Sequence, residues 1–300
     1  MPIKLIAAPH TPLNARGDLN LDVVQHQANH FVATGVTGVF VAGSTGEGHS
    51  LTVEERIEIA DQWTVVGRQA GLRVMIHVGH NSQRESVRLA ARAADAGADA
   101  ISAMAPCYYK PAGIDDLIDY LAPIADAAAS LPFYFYDIPS MTGVSLSSAE
   151  LLRSGERLPT LAGVKFTNSD LMQFQECVQF DGGRYEIWFG CDEALLAGYA
   201  LGAQGAVGST YNFAAPLYHQ LIAAWDTGDQ EAARALQGQS IKLIRCCQKY
   251  GYMAAAKSVM SMLGIDCGPV RPPLRNLSPQ QLSEFQQTIA AMNLLAGVAS

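Results

Sequence analysis

The sequence has no run of lysine or arginine that could follow a phosphate backbone. It also has no apolar stretch near the roughly 18 residues a membrane-spanning helix needs. It carries 20 basic against 28 acidic residues, a formal net charge of −8, so neither a nucleic-acid nor a membrane partner is expected. The opening MPIKLIAAPH lacks the charged leader and long apolar core of a secretory signal. The six cysteines (Cys107, Cys177, Cys191, Cys246, Cys247 and Cys267) form no CxxC pair. Reduced thiols and a cytoplasmic location are the expectation. The phosphate loop ending in GK[ST], the dinucleotide GxGxxG and the serine-hydrolase GxSxG are all missing. His77 and His80 lie three apart at a strand end with no third ligand in view, so no metal site is expected.

What is present is a large apolar fraction, 49% of the residues against 16% charged, ample for a sizeable core. Short apolar runs alternate with longer amphipathic ones. The runs predict strands at Leu5–Ala8, Gly38–Ala42, Arg73–Val78, Ala100–Met104, Phe133–Tyr136, Leu161–Phe166, Glu186–Phe189 and Gly205–Gly208. Between them, helices are predicted at Leu21–Ala33, Val53–Gln69, Gln83–Ala96, Ile114–Ala129, Ser148–Leu158, Asp170–Phe180, Glu193–Ala200 and Pro216–Trp225. Strict alternation of this kind fits a closed (β/α)8 TIM barrel over residues 1–228 better than an open doubly wound sheet. Three further helical patterns follow at Gln230–Tyr250, Met253–Met262 and Pro279–Leu295, the last set apart by the Pro-rich Gly268–Leu277. Residues 229–300 are therefore expected to be a C-terminal helical extension packed on the barrel.

In such a barrel the chemistry sits on the loops after each strand's C-terminal end. Of only six lysines, Lys165 alone lies inside an apolar strand, Leu161-Ala162-Gly163-Val164-Lys165-Phe166. Burial favours the neutral amine over the cation and frees the lone pair that attacks a carbonyl; the other reading is a structural lysine paired with a carboxylate. Tyr136 shares a strand face with Tyr134 and is nearer the loop, so it is a proton shuttle or a core aromatic. Gly43-Ser44-Thr45-Gly46-Glu47-Gly48 follows the second strand. It either cradles a carboxylate with Ser44, Thr45 and backbone N–H groups or is an ordinary tight turn. Asp192 and Glu193, after the seventh strand, suit hydroxyl recognition, with a helix N-cap at Asp192 as the plainer role. Cys246-Cys247, in the helical extension, reads as packing.

These segments together resemble the dihydrodipicolinate synthase/N-acetylneuraminate lyase superfamily over roughly residues 3–295. The resemblance rests on Gly43-Ser44-Thr45-Gly46-Glu47, Tyr136-Asp137-Ile138-Pro139, Gly163-Val164-Lys165 and Gly205-Ala206-Val207-Gly208-Ser209. It implies a Schiff-base aldolase needing no cofactor, with Lys165 as the imine-forming amine and Tyr136 as the catalytic tyrosine. It further implies that Ser44 and Thr45 bind the carboxylate and that Tyr108 is lent by a neighbouring subunit of a homotetramer. The synthase branch carries an arginine two residues after the motif's proline, where this chain has Met141, which cannot grip a carboxylate as a fork. Thr167, Gly190, Asp192, Glu193 and Ser209 match instead the sialic acid lyase branch, which points to a sialic acid and pyruvate as small-molecule ligands. Another 2-keto-3-deoxy sugar acid, processed by an aldolase or dehydratase, and a non-catalytic keto-acid binder are the remaining readings. Asp137 departs from the Asn or His often found there in relatives.

Overall fold

Short strands that are apolar on both faces need a neighbour along each edge and a cover on each side. In the computed structural model, which describes residues 3–293, both needs are met by closure. The strands are β1 (Lys4–Ala7), β2 (Gly38–Val41), β3 (Arg73–His77), β4 (Ala100–Met104), β5 (Phe133–Asp137), β6 (Leu161–Phe166), β7 (Glu186–Phe189) and β8 (Gly205–Gly208). They pair in parallel in chain order, and β8 returns to β1 with Lys4 opposite Gly205 and Ala7 opposite Gly208.

Around the barrel run α1 (Val23–Ala33), α2 (Val53–Ala70), α3 (Gln83–Ala96), α4 (Ile114–Asp126), α5 (Pro139–Thr142), α6 (Ser148–Arg153), α7 (Leu171–Gln179), α8 (Leu195–Ala200) and α9 (Ala215–Asp226). Thr52 and Glu55 close a reciprocal capping box at the start of α2, and Gly71 ends that helix in the left-handed conformation, φ +71°. Three departures from the predicted elements have local causes. β2 stops one residue early because Ala42 turns to φ +56°. The helix predicted over Ser148–Leu158 breaks at Ser154 and resumes as a 3-10 turn, Gly155–Arg157. The short α5, started by Pro139, has too few residues to show a helical period in sequence.

The extension follows as α10 (Gln230–Lys249), α11 (Tyr252–Met262) and α12 (Pro279–Met292); residues 294–295, predicted to end the last helix, lie outside the described residues. It is tied to the barrel at several points. Gln237 of α10 accepts from Leu196 N and donates to Asp192 O. The linker before α12 crosses the loop after β1 so closely that a side chain at Gly268 would sit 1.8 Å from Leu13 O. Arg271 then donates to Gly17 O, Ser50 O and the Glu55 carboxylate.

Two apolar cores result. One fills the layer between strands and helices, and the other fills the barrel with Ile6, Phe40, Met75, Met104, Tyr134, Tyr136, Trp188 and Val207. The N-terminal end of the barrel is plugged. The Tyr134 hydroxyl donates to Glu186 at 2.5 Å and accepts from Arg73 at 2.8 Å, and the Arg73 guanidinium lies 4.9 Å over the Trp188 ring. The open end is the C-terminal one. A bulge in β6 shapes it: Phe133 faces Leu161, but Tyr134 faces Gly163, so one extra residue enters β6. From there Tyr136 aligns with Lys165. Gly163 is required at the bulge, since a Cβ would meet Glu186 O at 1.9 Å.

Asp137, the next residue along β5, alternates outward into the layer beneath α7 and is 2% exposed. Burial pushes its carboxyl up to about 6, opposed by the hydrogen bond that Asn168 Nδ2 donates at 3.1 Å. An aspartate in the unfolded chain titrates near ~4. Between these values the folded protein holds a proton the unfolded chain has released. Stability therefore falls as pH rises from about 4 to about 6 and stays lowered above. Asp137→Asn keeps an acceptor for Asn168 without the ionisation. In thermal melts the variant should be the more stable protein near pH 7, by up to about 3 kcal/mol, with the difference closing near pH 4. A parent that is more stable than the variant near pH 7 would mean the carboxylate is favoured in place.

Candidate active site

Lys165 reaches the barrel interior near its open end and is 5% exposed. Its Nζ lies 3.5 Å from the centroid of the Tyr136 ring and 4.3 Å from that of Phe40. The other buried lysine, Lys257, pairs with Glu47 at 2.8 Å; Lys165 meets ring faces instead. Burial lowers its pKa below the ordinary lysine value, with the neighbouring Tyr136 hydroxyl acting in the opposite direction. The structural-pair reading of this lysine is therefore not what the structure shows. Tyr136 is held edge-on by Phe40 at 5.3 Å and by His77 at 5.5 Å. His77 is kept neutral by burial and then by the charge of Arg56. His80 points elsewhere, its Nδ1 accepting from Ser82 N.

The Tyr136 hydroxyl lies 3.3 Å from Ser44 Oγ. Ser44 and Thr45 sit in a turn whose flanks are strained, since Ala42 (φ +56°) and Glu47 (φ +52°) are both left-handed without being glycine. Each such residue costs about 1–2 kcal/mol and persists only where its surroundings fix it. Gly48 cannot be replaced there, because a Cβ would lie 2.0 Å from Ala42 O. The segment is a tight turn and a cavity wall at once.

A cavity of about 390 Å³ opens above Lys165. The structure brings Ser44, Thr45, Tyr136, Lys165, Thr167, Gly190, Asp192, Glu193 and Ser209 together on its walls. Two glycines make room for this polar side. A Cβ at Gly190 would fall 2.0 Å from Thr167 Oγ1, and one at Gly208 would fall 2.1 Å from Asp192 Oδ1. Asp192 does not cap a helix as the plainer expectation had it. Its Oδ2 accepts from Thr210 N at 2.8 Å and from Thr210 Oγ1 at 2.6 Å, on a residue 5% exposed. Burial pushes that carboxyl up to about 6.

Tyr108 is not brought into this cavity. It stands 77% exposed, edge-on to Tyr109 at 5.0 Å. Sequence reasoning missed the opposite wall, built by Ile244 and Gln248 of α10, Tyr252 and Met253 of α11, and Leu274 of the linker. Tyr252 shares a 2.6 Å hydrogen bond with Ser209. Nothing in the spacing of these residues marks them, because their neighbours across the cavity come from strand ends far back in the chain, Ser209 standing 43 positions before Tyr252. Met141, in the slot of the synthase branch's arginine, also lines the cavity and is 66% exposed.

The whole chain can be compared with known proteins. The N-acetylneuraminate lyase of Mus musculus is 38% identical over 297 residues, covering 97% of this chain and 93% of the relative. Among solved structures, the Proteus mirabilis N-acetylneuraminate lyase superposes with a TM-score of 0.95 at 41% identity, covering 98% and 99% of the two chains. The sialic acid aldolase of Aliivibrio salmonicida gives 0.94 at 38%, covering 98% and 97%. The model of the dihydrodipicolinate synthetase family matches residues 1–292, which include every residue of the cavity wall and the helices α10, α11 and α12 of the extension. A closed barrel with this buried lysine, matched over residues 1–292, the chain belongs to the dihydrodipicolinate synthetase family.

Proposed function

We propose that the chain is an N-acetylneuraminate lyase, a class I aldolase that cleaves its sugar acid to N-acetylmannosamine and pyruvate. The observation that carries this reading is the Lys165 amine, buried against two aromatic rings at the floor of the cavity and lowered in pKa by that burial. The relatives named above carry the same name, and a cavity of about 390 Å³ suits a ligand of this size.

The chemistry follows from the residues. The keto acid's carboxylate rests on Ser44 and Thr45. Lys165 Nζ attacks C2, and loss of water leaves a protonated imine that accepts electrons from the adjoining bonds. Tyr136 takes the proton of the C4 hydroxyl, the C3–C4 bond breaks, and its electron pair flows into the imine to give an enamine and the departing aldehyde. Protonation at C3 and hydrolysis then release pyruvate and the free lysine. Thr167, Gly190, Asp192, Glu193 and Ser209 face the sugar's hydroxyls. In the same reading Tyr108 reaches a neighbouring subunit's site within a cytoplasmic homotetramer, and the extension 229–300 completes the wall of the barrel 1–228.

Borohydride added with pyruvate should fix one pyruvate-derived adduct per chain on Lys165, read by intact mass and peptide mapping. Lys165→Arg should show none while keeping the parent's melting behaviour. A parent without adduct ends the aldolase reading. Coupled assays that favour a short aldehyde over N-acetylmannosamine would assign the site to another 2-keto-3-deoxy sugar acid. Tyr136→Phe should still form the trapped adduct but cleave about 10²–10⁴-fold more slowly, the ordinary range for losing a general acid–base group. Cleavage at the parent rate would remove Tyr136 from the mechanism.

A further inference from the structure

We propose that the buried Glu47–Lys257 ion pair is the positioning device of the Ser44–Thr45 turn, through which α11 sets where the keto acid's carboxylate is held. The inference rests on the aldolase reading and deepens it. Neither residue lines the substrate cavity, so both act through the turn.

Glu47 and Lys257 expose 1% and 3% of their side chains, and Lys257 Nζ lies 2.8 Å from Glu47 Oε1. The remaining valences of the pair are directed. Lys257 Nζ donates to Pro269 O at 2.7 Å, and Glu47 Oε2 accepts from the backbone N–H of Arg271 at 2.9 Å. A turn of the barrel, a helix of the extension and the linker after it therefore meet at one carboxylate. Two buried charges are an expensive way to fill space, since an apolar pair of similar volume is commonly as stable or more so. What the charges add is direction. His10, fully buried beside the pair, contributes no competing charge, since burial and then the Lys257 cation lower it to about 3.

The backbone makes the turn sensitive to this anchor. Glu47 is left-handed at φ +52°, and its N–H donates to Ser44 O at 3.1 Å. Gly48 N donates to Gly43 O at 3.1 Å, and Gly46 O accepts from Thr11 Oγ1 at 2.5 Å. A strained residue three positions after Ser44 is thus fixed by its own side chain to a helix, and Ser44 and Thr45 take their places from it. Ser44 Oγ also meets the Tyr136 hydroxyl at 3.3 Å, so one displacement would disturb both carboxylate binding and the proton path.

The test is the Glu47→Gln, Lys257→Met double variant, which removes both charges together and keeps an acceptor, the amide oxygen at position 47, for the backbone N–H of Arg271. It should melt close to the parent. In borohydride trapping, the pyruvate concentration for half-maximal adduct should rise about tenfold or more, with the same final extent, because Lys165 itself is untouched. A folded double variant with the parent's half-saturation overturns the inference and leaves the pair a matter of stability alone. Should the double variant fail to fold, Glu47→Asp carries the test, since it keeps the charge pair and shortens the tether by one methylene. Half-saturation raised about threefold or more supports positioning, and the parent's value overturns it. A parent that traps no pyruvate at all removes the aldolase reading and this inference together, so the two failures are distinguishable.

Discussion

Keeping an amine inside a closed barrel with no carboxylate in ion-pair contact among the described residues, Asp192 acting on it only from a distance, is the constraint around which the rest of this molecule is arranged. Lys165 is surrounded by ring faces rather than by a counter-ion. That setting is tolerable for a lysine only because the neutral form is available to it. Everything near it follows from making such a position habitable. The bulge in β6 brings the side chain into register with Tyr136, and Gly163 lets that bulge approach β7. Phe40 and His77 then fix the ring of Tyr136 from two sides, His77 adding no charge of its own.

Much of this architecture was legible in the residues. β4, β6, β7 and β8 begin and end where their apolar runs do, and α3 fills its predicted span. A strand covered on both faces writes its whole length in hydrophobic residues, so its limits are visible. The limits blurred where backbone conformation rather than side-chain chemistry decided them, as at Ala42, whose positive φ no alanine announces. The bulge was invisible for the same reason: an extra residue in one strand shows only against its partner's register. The floor of the site was readable because Lys165 is chemically out of place in its strand. The far wall was not, because Ile244, Gln248 and Tyr252 look like ordinary residues of amphipathic helices.

The extension is therefore more than a cover. α10, α11 and the linker supply one side of the cavity, and Arg271 binds the loops after β1 and β2 with its whole guanidinium. A barrel usually varies its function through its own strand–helix loops. In this chain a segment beyond the last strand reaches back to finish the work, so the site's two halves come from distant parts of the sequence. Substitutions in α10 and α11 then belong with those in the strand-end loops when the shape of the pocket is considered.

The plug of Arg73, Tyr134, Glu186 and Trp188 at the barrel's base has a kinetic corollary. With that end filled by side chains, the cavity above Lys165 opens at the other end of the barrel. Under the proposed chemistry the three-carbon fragment would be tethered at the bottom by a covalent link to Lys165, with the sugar fragment between it and the exit. Under the proposed chemistry the aldehyde must leave first and the keto acid last, and in synthesis the keto acid must enter first. The order of events is then a property of the vessel, imposed by a cluster of side chains that never touches either fragment.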